Sequence, residues 1–259
     1  MSLDLCAQHV ARADSDRFAA AMTAPPDRRG ALLALYAFNL EVARAPWVTA
    51  EPTIAAMRLQ WWTDAIAEIY EGRPPRRHEV VTPLAEAIAT HDLPRAPFDA
   101  AIAARHRDIA PEPHADDDAL WAWLDATGGG LTWLAARALG ADPGLQPLAR
   151  AHGTAAAAAS LIAALPALIA AHAQPLPPPG GADAVRALAD KALETLKHTR
   201  SQRGTVPAAV RPAFLAGWQA GATLRAARNR PEAVLKAPPA RSEFRRRATL
   251  LWAATTGRW

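Results

Sequence analysis

Between Arg150 and Asp183 the chain carries no formally charged residue, and the middle of that run is almost entirely Ala, Leu and Ile. So long an apolar stretch must leave water, either inside a folded core or inside a bilayer. The 19 residues from Ala155 to Ala173 approach a membrane span in length. Only Leu161, Ile162, Leu165, Leu168 and Ile169 are strongly apolar, however, and Ser160, Pro166 and His172 interrupt them. Five such residues favour insertion by only about 2 kcal/mol. The expectation is a buried central helix.

The rest of the chain points the same way. Ala and Leu far outnumber the β-branched residues, so helix propensity is high and strand propensity low. Breakers cut the sequence into helix-length pieces. Pro25-Pro26-Asp27 ends one piece, and Asp27 is placed to cap a helix over 28–44. Glu51-Pro52-Thr53 starts another, whose apolar positions Ile54, Met57, Trp61, Trp62, Ile66 and Ile69 keep helical spacing until Gly72. Shorter helices are expected near 80–90 and 95–109, and further ones over 184–198, 207–230 and 242–256. The fold class is all-α, one domain over 1–259. A stiff Pro/Gly-rich connection (174–183) and a basic segment (241–259) lie within it.

Two local motifs have structural readings. Asp116-Asp117-Asp118 precedes an apolar run, where acids cap free amides and complement the helix dipole; a cation site is the competing reading. Gly128-Gly129-Gly130 lowers helix stability, which suggests a kink or a close approach by another helix or a ligand. It lacks the Lys-Ser/Thr of a phosphate loop.

Charge is distributed unevenly. From residue 195 onward there are 13 Lys or Arg and 2 acids, Glu232 and Glu243; the preceding residues hold 16 bases and 23 acids. A basic final third suits an anionic or protein partner, or a membrane surface. With no recognised nucleic-acid module, nucleic acid is not expected. Arg241, Arg245, Arg246 and Arg247 beside Leu250, Leu251, Trp252 and Trp259 suit an anionic bilayer surface, or a last helix docked on the bundle. The single Cys6 and the charges within residues 1–20 lead to an expected cytoplasmic location, peripheral to the inner membrane. No helical His pair at metal spacing and no nucleophile elbow are present.

The run Arg28-Arg29-Gly30-Ala31-Leu32-Leu33-Ala34-Leu35-Tyr36-Ala37-Phe38, followed by Met57-Arg58-Leu59-Gln60-Trp61-Trp62-Thr63-Asp64-Ala65-Ile66, resembles the squalene/phytoene synthase family. Gly128 to Gly130, Leu139-Gly140, Gly153 and Pro175-Leu176-Pro177 follow in the family's order, and the resemblance extends over roughly residues 5–230. It implies an isoprenoid-synthase-like helical bundle around a central cavity. Active members carry two Asp-rich motifs that bind magnesium and join prenyl diphosphates head to head. Here the resemblance puts the motif aspartates on Ala43, Trp47, Ala164 and Leu168, and Arg44 reverses the sign beside the first. The wording Tyr36 to Arg44, then Glu51 to Ile54, is similar to a degenerate branch of the family that includes a respiratory complex I assembly factor.

The resemblance therefore implies a non-catalytic protein that binds an isoprenoid, a lipid or a protein partner, with no cofactor. The alternative is a magnesium-dependent prenyl transferase with displaced ligands drawn from Glu41, Asp64, Glu68 or the Asp116–Asp118 triplet. Tyr36, Arg44, Arg58 and Trp61 flank the first motif and are the candidate cavity rim. Trp61, Trp62, Trp121, Trp123 and Trp133 either line a prenyl pocket or fill plain core.

Overall fold

The computed structural model describes residues 2–110, 112–239 and 242–259; Arg241 lies outside the described residues. All regular structure among the described residues is helical. The first hairpin is α1 (Ser2–Ala13) and α2 (Ser15–Ala21), joined at Asp14, whose carboxylate accepts from the Arg17 amide at 2.9 Å. Then α3 (Pro26–Arg44) begins two residues earlier than expected. Pro26 occupies the first turn, where a missing amide costs nothing, and Asp27 sits inside the helix instead of capping it.

The next helix, α4 (Pro52–Tyr70), has the expected bounds, but a different face is buried. Ala55, Leu59, Trp62, Ala65 and Ile66 enter the core, while Ile54 is 47% exposed and Met57 66%. Small alanines at 55 and 65 let α4 lie close to its neighbours, so the buried stripe is rotated from the one the large apolar residues outline. After α5 (Val81–His91) and α6 (Ala96–Arg105) comes α7 (Asp117–Leu124). Asp116 caps it by accepting from the Ala119 amide at 2.7 Å, and Asp118 pairs with Lys191 at 3.3 Å.

A π-helical turn, Asp125–Gly129, carries α7 directly into α8 (Gly130–Ala138). The glycines here allow close approach to α9 (Gln146–Ala170). A Cβ on Gly153 would fall 2.5 Å from the Gly128 carbonyl oxygen. At the same crossing Asp125 pairs with Arg150 and accepts from the Thr154 hydroxyl at 3.1 Å. Leu148 and Ala149 belong to a large core built around α1, α3, α4, α5, α6 and α8, whereas Ala155 to Leu165 belong to a second one. An 18-residue stretch within 143–170 reaches a mean hydropathy of 1.8, and the helix is long and apolar enough to cross a membrane; 44% of that stretch is buried in the bundle.

Beyond the Pro/Gly-rich link, α10 (Gly181–Ser201) packs back on α9. The expected helix over 207–230 is broken into α11 (Arg211–Leu215) and α12 (Ala220–Asn229). The break falls at Gly217, where a Cβ would lie 2.8 Å from that of Ala156 and 3.1 Å from His152 Nε2. Finally α13 (Pro231–Lys236) closes the second core, and α14 (Glu243–Thr256) lies along the outside.

His152 is buried in the middle of this crossing. Its Nε2–H donates to the Phe214 carbonyl at 3.0 Å and Nδ1 has no partner. Burial, with Arg200 and Arg203 nearby, pulls its pKa down to about 3. Between the unfolded value near 6.5 and that depressed one, the unfolded chain holds a proton that the folded chain does not, so stability is lost as pH falls. The expected loss from His152 alone is about 2 kcal/mol by pH 5. Denaturant titrations from pH 7 to pH 5 check this. His152→Gln, which retains a donor but does not titrate, should show a shallower slope; an unchanged slope would remove the assignment.

Candidate functional site

A cavity of about 410 Å3 opens between α3 and α9, with the end of α7 and the π turn as its third wall. From α3 it takes Asn39, Leu40 and Ala43, with Trp47 just beyond; from α9 it takes Ala157, Ser160, Leu161, Ala164 and Leu168. Ala43, Trp47, Ala164 and Leu168, far apart in sequence, thus meet in one lining. Trp123, Leu124 and Thr127 complete the apolar part.

The charged part was not recognised in the sequence. Arg17, Arg105, Arg107, Asp108 and His114 also line the cavity. Arg105 donates to Asp108 at 3.0 Å and lies 4.9 Å from the Trp123 ring centre. Burial pushes the Asp108 carboxyl up, against the pull of Arg105. Arg107 donates to the Glu112 carbonyl at 2.6 Å, and Arg17 pairs with Asp14 at 2.9 Å. Burial and Arg107 lower His114 to about 4, so it is a neutral imidazole at pH 7, and its Nε2 is buried without a partner. The only signal in the sequence was the dense Arg105-His106-Arg107-Asp108 run at the end of α6.

The candidate rim residues are placed elsewhere. Arg44, Arg58 and Trp61 line a second cavity of about 360 Å3 with Glu41, Trp62 and His78, and it shares no lining residue with the first. Tyr36 lines neither: it is buried in the large core, 6.0 Å from the Arg17 guanidinium, with an unpartnered hydroxyl whose pKa burial pushes up. Turning by 100° per residue, α3 presents Ala43 and Arg44 to different sides, which separates them although they are adjacent.

The alternative carboxylates also fail to converge. Glu41 contacts His9 at 3.4 Å. Glu68 accepts two hydrogen bonds from Arg76, at 2.7 and 2.8 Å, which hold its pKa below the usual range, and Asp64 lies 3.7 Å from the same guanidinium. These form an ion-pair strip along α4. Among the described residues no three His, Cys, Asp or Glu side chains gather in a metal-binding group. Of the tryptophans, Trp123 lines the first cavity, Trp61 and Trp62 the second, Trp133 fills the large core and Trp121 packs beside the smaller one.

This all-α bundle has the isoprenoid synthase fold of the solved structures on which it superposes. A dehydrosqualene synthase solved with ligand superposes with a TM-score of 0.85, covering 98% of this chain and 96% of that one at 13% identity. The squalene synthase HpnC of Alicyclobacillus acidocaldarius gives 0.76, over 88% and 94%, at 18% identity. The squalene/phytoene synthase family profile matches residues 10–178, and the chain belongs to that family. Among named relatives, complex I assembly factor 6 of Mus musculus is 26% identical over 230 residues, spanning 81% of this chain and 69% of its own length. The Bos taurus protein is 26% identical over 153 residues, and there the match spans about half of the relative, 46%.

Membership raises the question of magnesium, which the family's Asp-rich motifs hold. Magnesium needs several oxygen ligands in near-octahedral array. The cavity offers one carboxylate, Asp108, already bound to Arg105, beside two further guanidinium groups. These residues do not fit the ion. They fit an amphiphile: apolar walls for a hydrocarbon chain and cationic groups for an anionic head.

Proposed function

We propose that this protein is a non-catalytic member of the squalene/phytoene synthase family, which retains the cavity as a binding site for an isoprenoid or lipid with an anionic head. In this reading it serves the assembly of a respiratory complex, as the name of its mammalian relatives describes, at the cytoplasmic side of the inner membrane. The single observation that supports this non-catalytic reading is the composition of the first cavity. Its facing helices present Ala43, Trp47, Ala164 and Leu168, which the family resemblance aligns with the motif aspartates, and its charged groups are mostly cationic. Ionising a prenyl diphosphate requires the leaving group's developing charge to be bridged by metal ions, and alanine, leucine and tryptophan supply no ligand. Guanidinium groups alone bind a diphosphate without needing to break it.

The test is release of diphosphate from farnesyl and geranylgeranyl diphosphate in the presence of magnesium. The expected rate equals that of buffer. More than one turnover per protein molecule overturns the reading and restores the prenyl transferase alternative. Mass spectrometry of the protein as isolated should show a bound amphiphile, and Ala164→Arg, which projects a charge into the apolar wall, should reduce its occupancy at least about ten-fold.

A further inference from the structure

A further pocket of about 610 Å3, sharing no lining residue with either cavity, is enclosed by α10, α12 and α14. Arg200, Arg225 and Arg245 line it, one from each helix. Gly221 brings two of them together: a Cβ there would lie 2.8 Å from Arg200 Nη1 and 3.4 Å from Arg225 Nη1. Neighbouring Arg246 is neutralised by Asp16 at 2.6 Å and Glu243 at 2.8 Å, but no ion pair among the described residues reaches Arg200, Arg225 or Arg245. Arg200 is half-buried with its Nε unpartnered, and burial beside Arg203 and Arg225 lowers its pKa to about 10. Trp218, only 8% exposed, lines the same pocket and its indole Nε1–H has no acceptor among the described residues. Cationic donors gathered in one pocket, some of them desolvated, suit an oxyanion.

The surface beside the pocket is apolar. Phe244, Leu251 and Trp252 on α14 are 81%, 67% and 52% exposed. At 100° per residue they share one outward stripe, with Arg245 and Arg247 on its two flanks. Arg258 stacks over Trp252 at 5.1 Å. An apolar stripe between arginines, on a helix lying flat on the fold, is the pattern of a helix that rests in a bilayer interface. Charge complementarity selects the anionic kind.

We propose that this face docks on an anionic phospholipid membrane, with one lipid phosphate seated among Arg200, Arg225 and Arg245 and with Phe244, Leu251 and Trp252 immersed at the acyl boundary. This is independent of whether the first cavity is catalytic. The probe is co-sedimentation of the full chain with phosphatidylcholine vesicles, with and without phosphatidylglycerol. Binding is expected only with phosphatidylglycerol. Arg200→Gln/Arg225→Gln/Arg245→Gln should weaken it by about 100-fold, against about three-fold or less for Arg12→Gln/Arg77→Gln/Arg186→Gln, which removes the same charge elsewhere. Phe244→Ser/Leu251→Ser/Trp252→Ser should weaken it comparably. If the first triple variant fails to fold, the exposed pair Arg225→Gln/Arg245→Gln carries the same expectation at about ten-fold. Equal sedimentation with both vesicle types, equal losses in the two arginine triples, or saturable binding of inorganic phosphate without vesicle binding would each overturn the proposal.

Discussion

Gly153→Val is expected to yield no folded protein, and Gly153→Ala to lose about 3 kcal/mol in urea unfolding. Intrinsic propensity favours alanine over glycine in a helix by about 1 kcal/mol, so a purely local view predicts stabilisation. The crossing of α9 with the π turn reverses the sign. The new Cβ would meet the Gly128 carbonyl oxygen at 2.5 Å and the Thr132 Cβ at 2.6 Å. The first of these is backbone and cannot rotate away, so the helices must separate. Separation also strains the Asp125, Arg150 and Thr154 contacts at the same crossing. Gly204→Ala is the control, because nothing lies within 4 Å of a Cβ there, and it should stay within about 0.5 kcal/mol of the parent. A Gly153→Ala protein as stable as that control would mean the two helices are not in this contact.

Trp259→Ala should cost about 3–5 kcal/mol, the range for emptying a buried tryptophan site. Trp259 is 3% exposed, with its ring 4.4 Å from Phe214 and 4.7 Å from His152. Arg203 closes the site, donating to the Trp259 main-chain oxygen at 2.8 Å and lying over the ring at 5.6 Å. Trp259→Phe should cost under about 1.5 kcal/mol, because it keeps aromatic contact and removes an indole N–H that is buried without an acceptor. Denaturant midpoints of the two variants check the contrast. Equal midpoints for Ala, Phe and the parent would show that this ring does not hold α14 to the bundle.

The burial of Trp259 shows why hydrophobicity alone leaves the C-terminal segment ambiguous. A membrane-facing helix and one docked on the bundle are both compatible with its residues, and α14 docks one apolar set while leaving another exposed. Ala253 and Trp259 are buried, while Phe244, Leu251 and Trp252 face outward. Both sets are apolar, and hydrophobicity alone does not say which will find a partner. The same ambiguity affected α4, where the bulky Ile54 and Met57 outlined a stripe that packing left exposed in favour of Ala55 and Leu59. It also affected the site. Ala43 and Arg44 are consecutive, yet they line separate cavities because the helix turns between them.

What the chain determined locally was its helical class, most helix ends, the capping role of Asp116 and the close approach at Gly128–Gly130. Propensity, caps and breakers act over a few residues and are therefore written where they act. The family pattern was also visible, because it depends on residue order. The cationic lining of the first cavity, the gathering of Arg200, Arg225 and Arg245, and the break at Gly217 emerged only with the tertiary structure. Each depends on side chains from distant helices sharing a volume, and exclusion of one atom by another across that space has no counterpart in neighbouring residues.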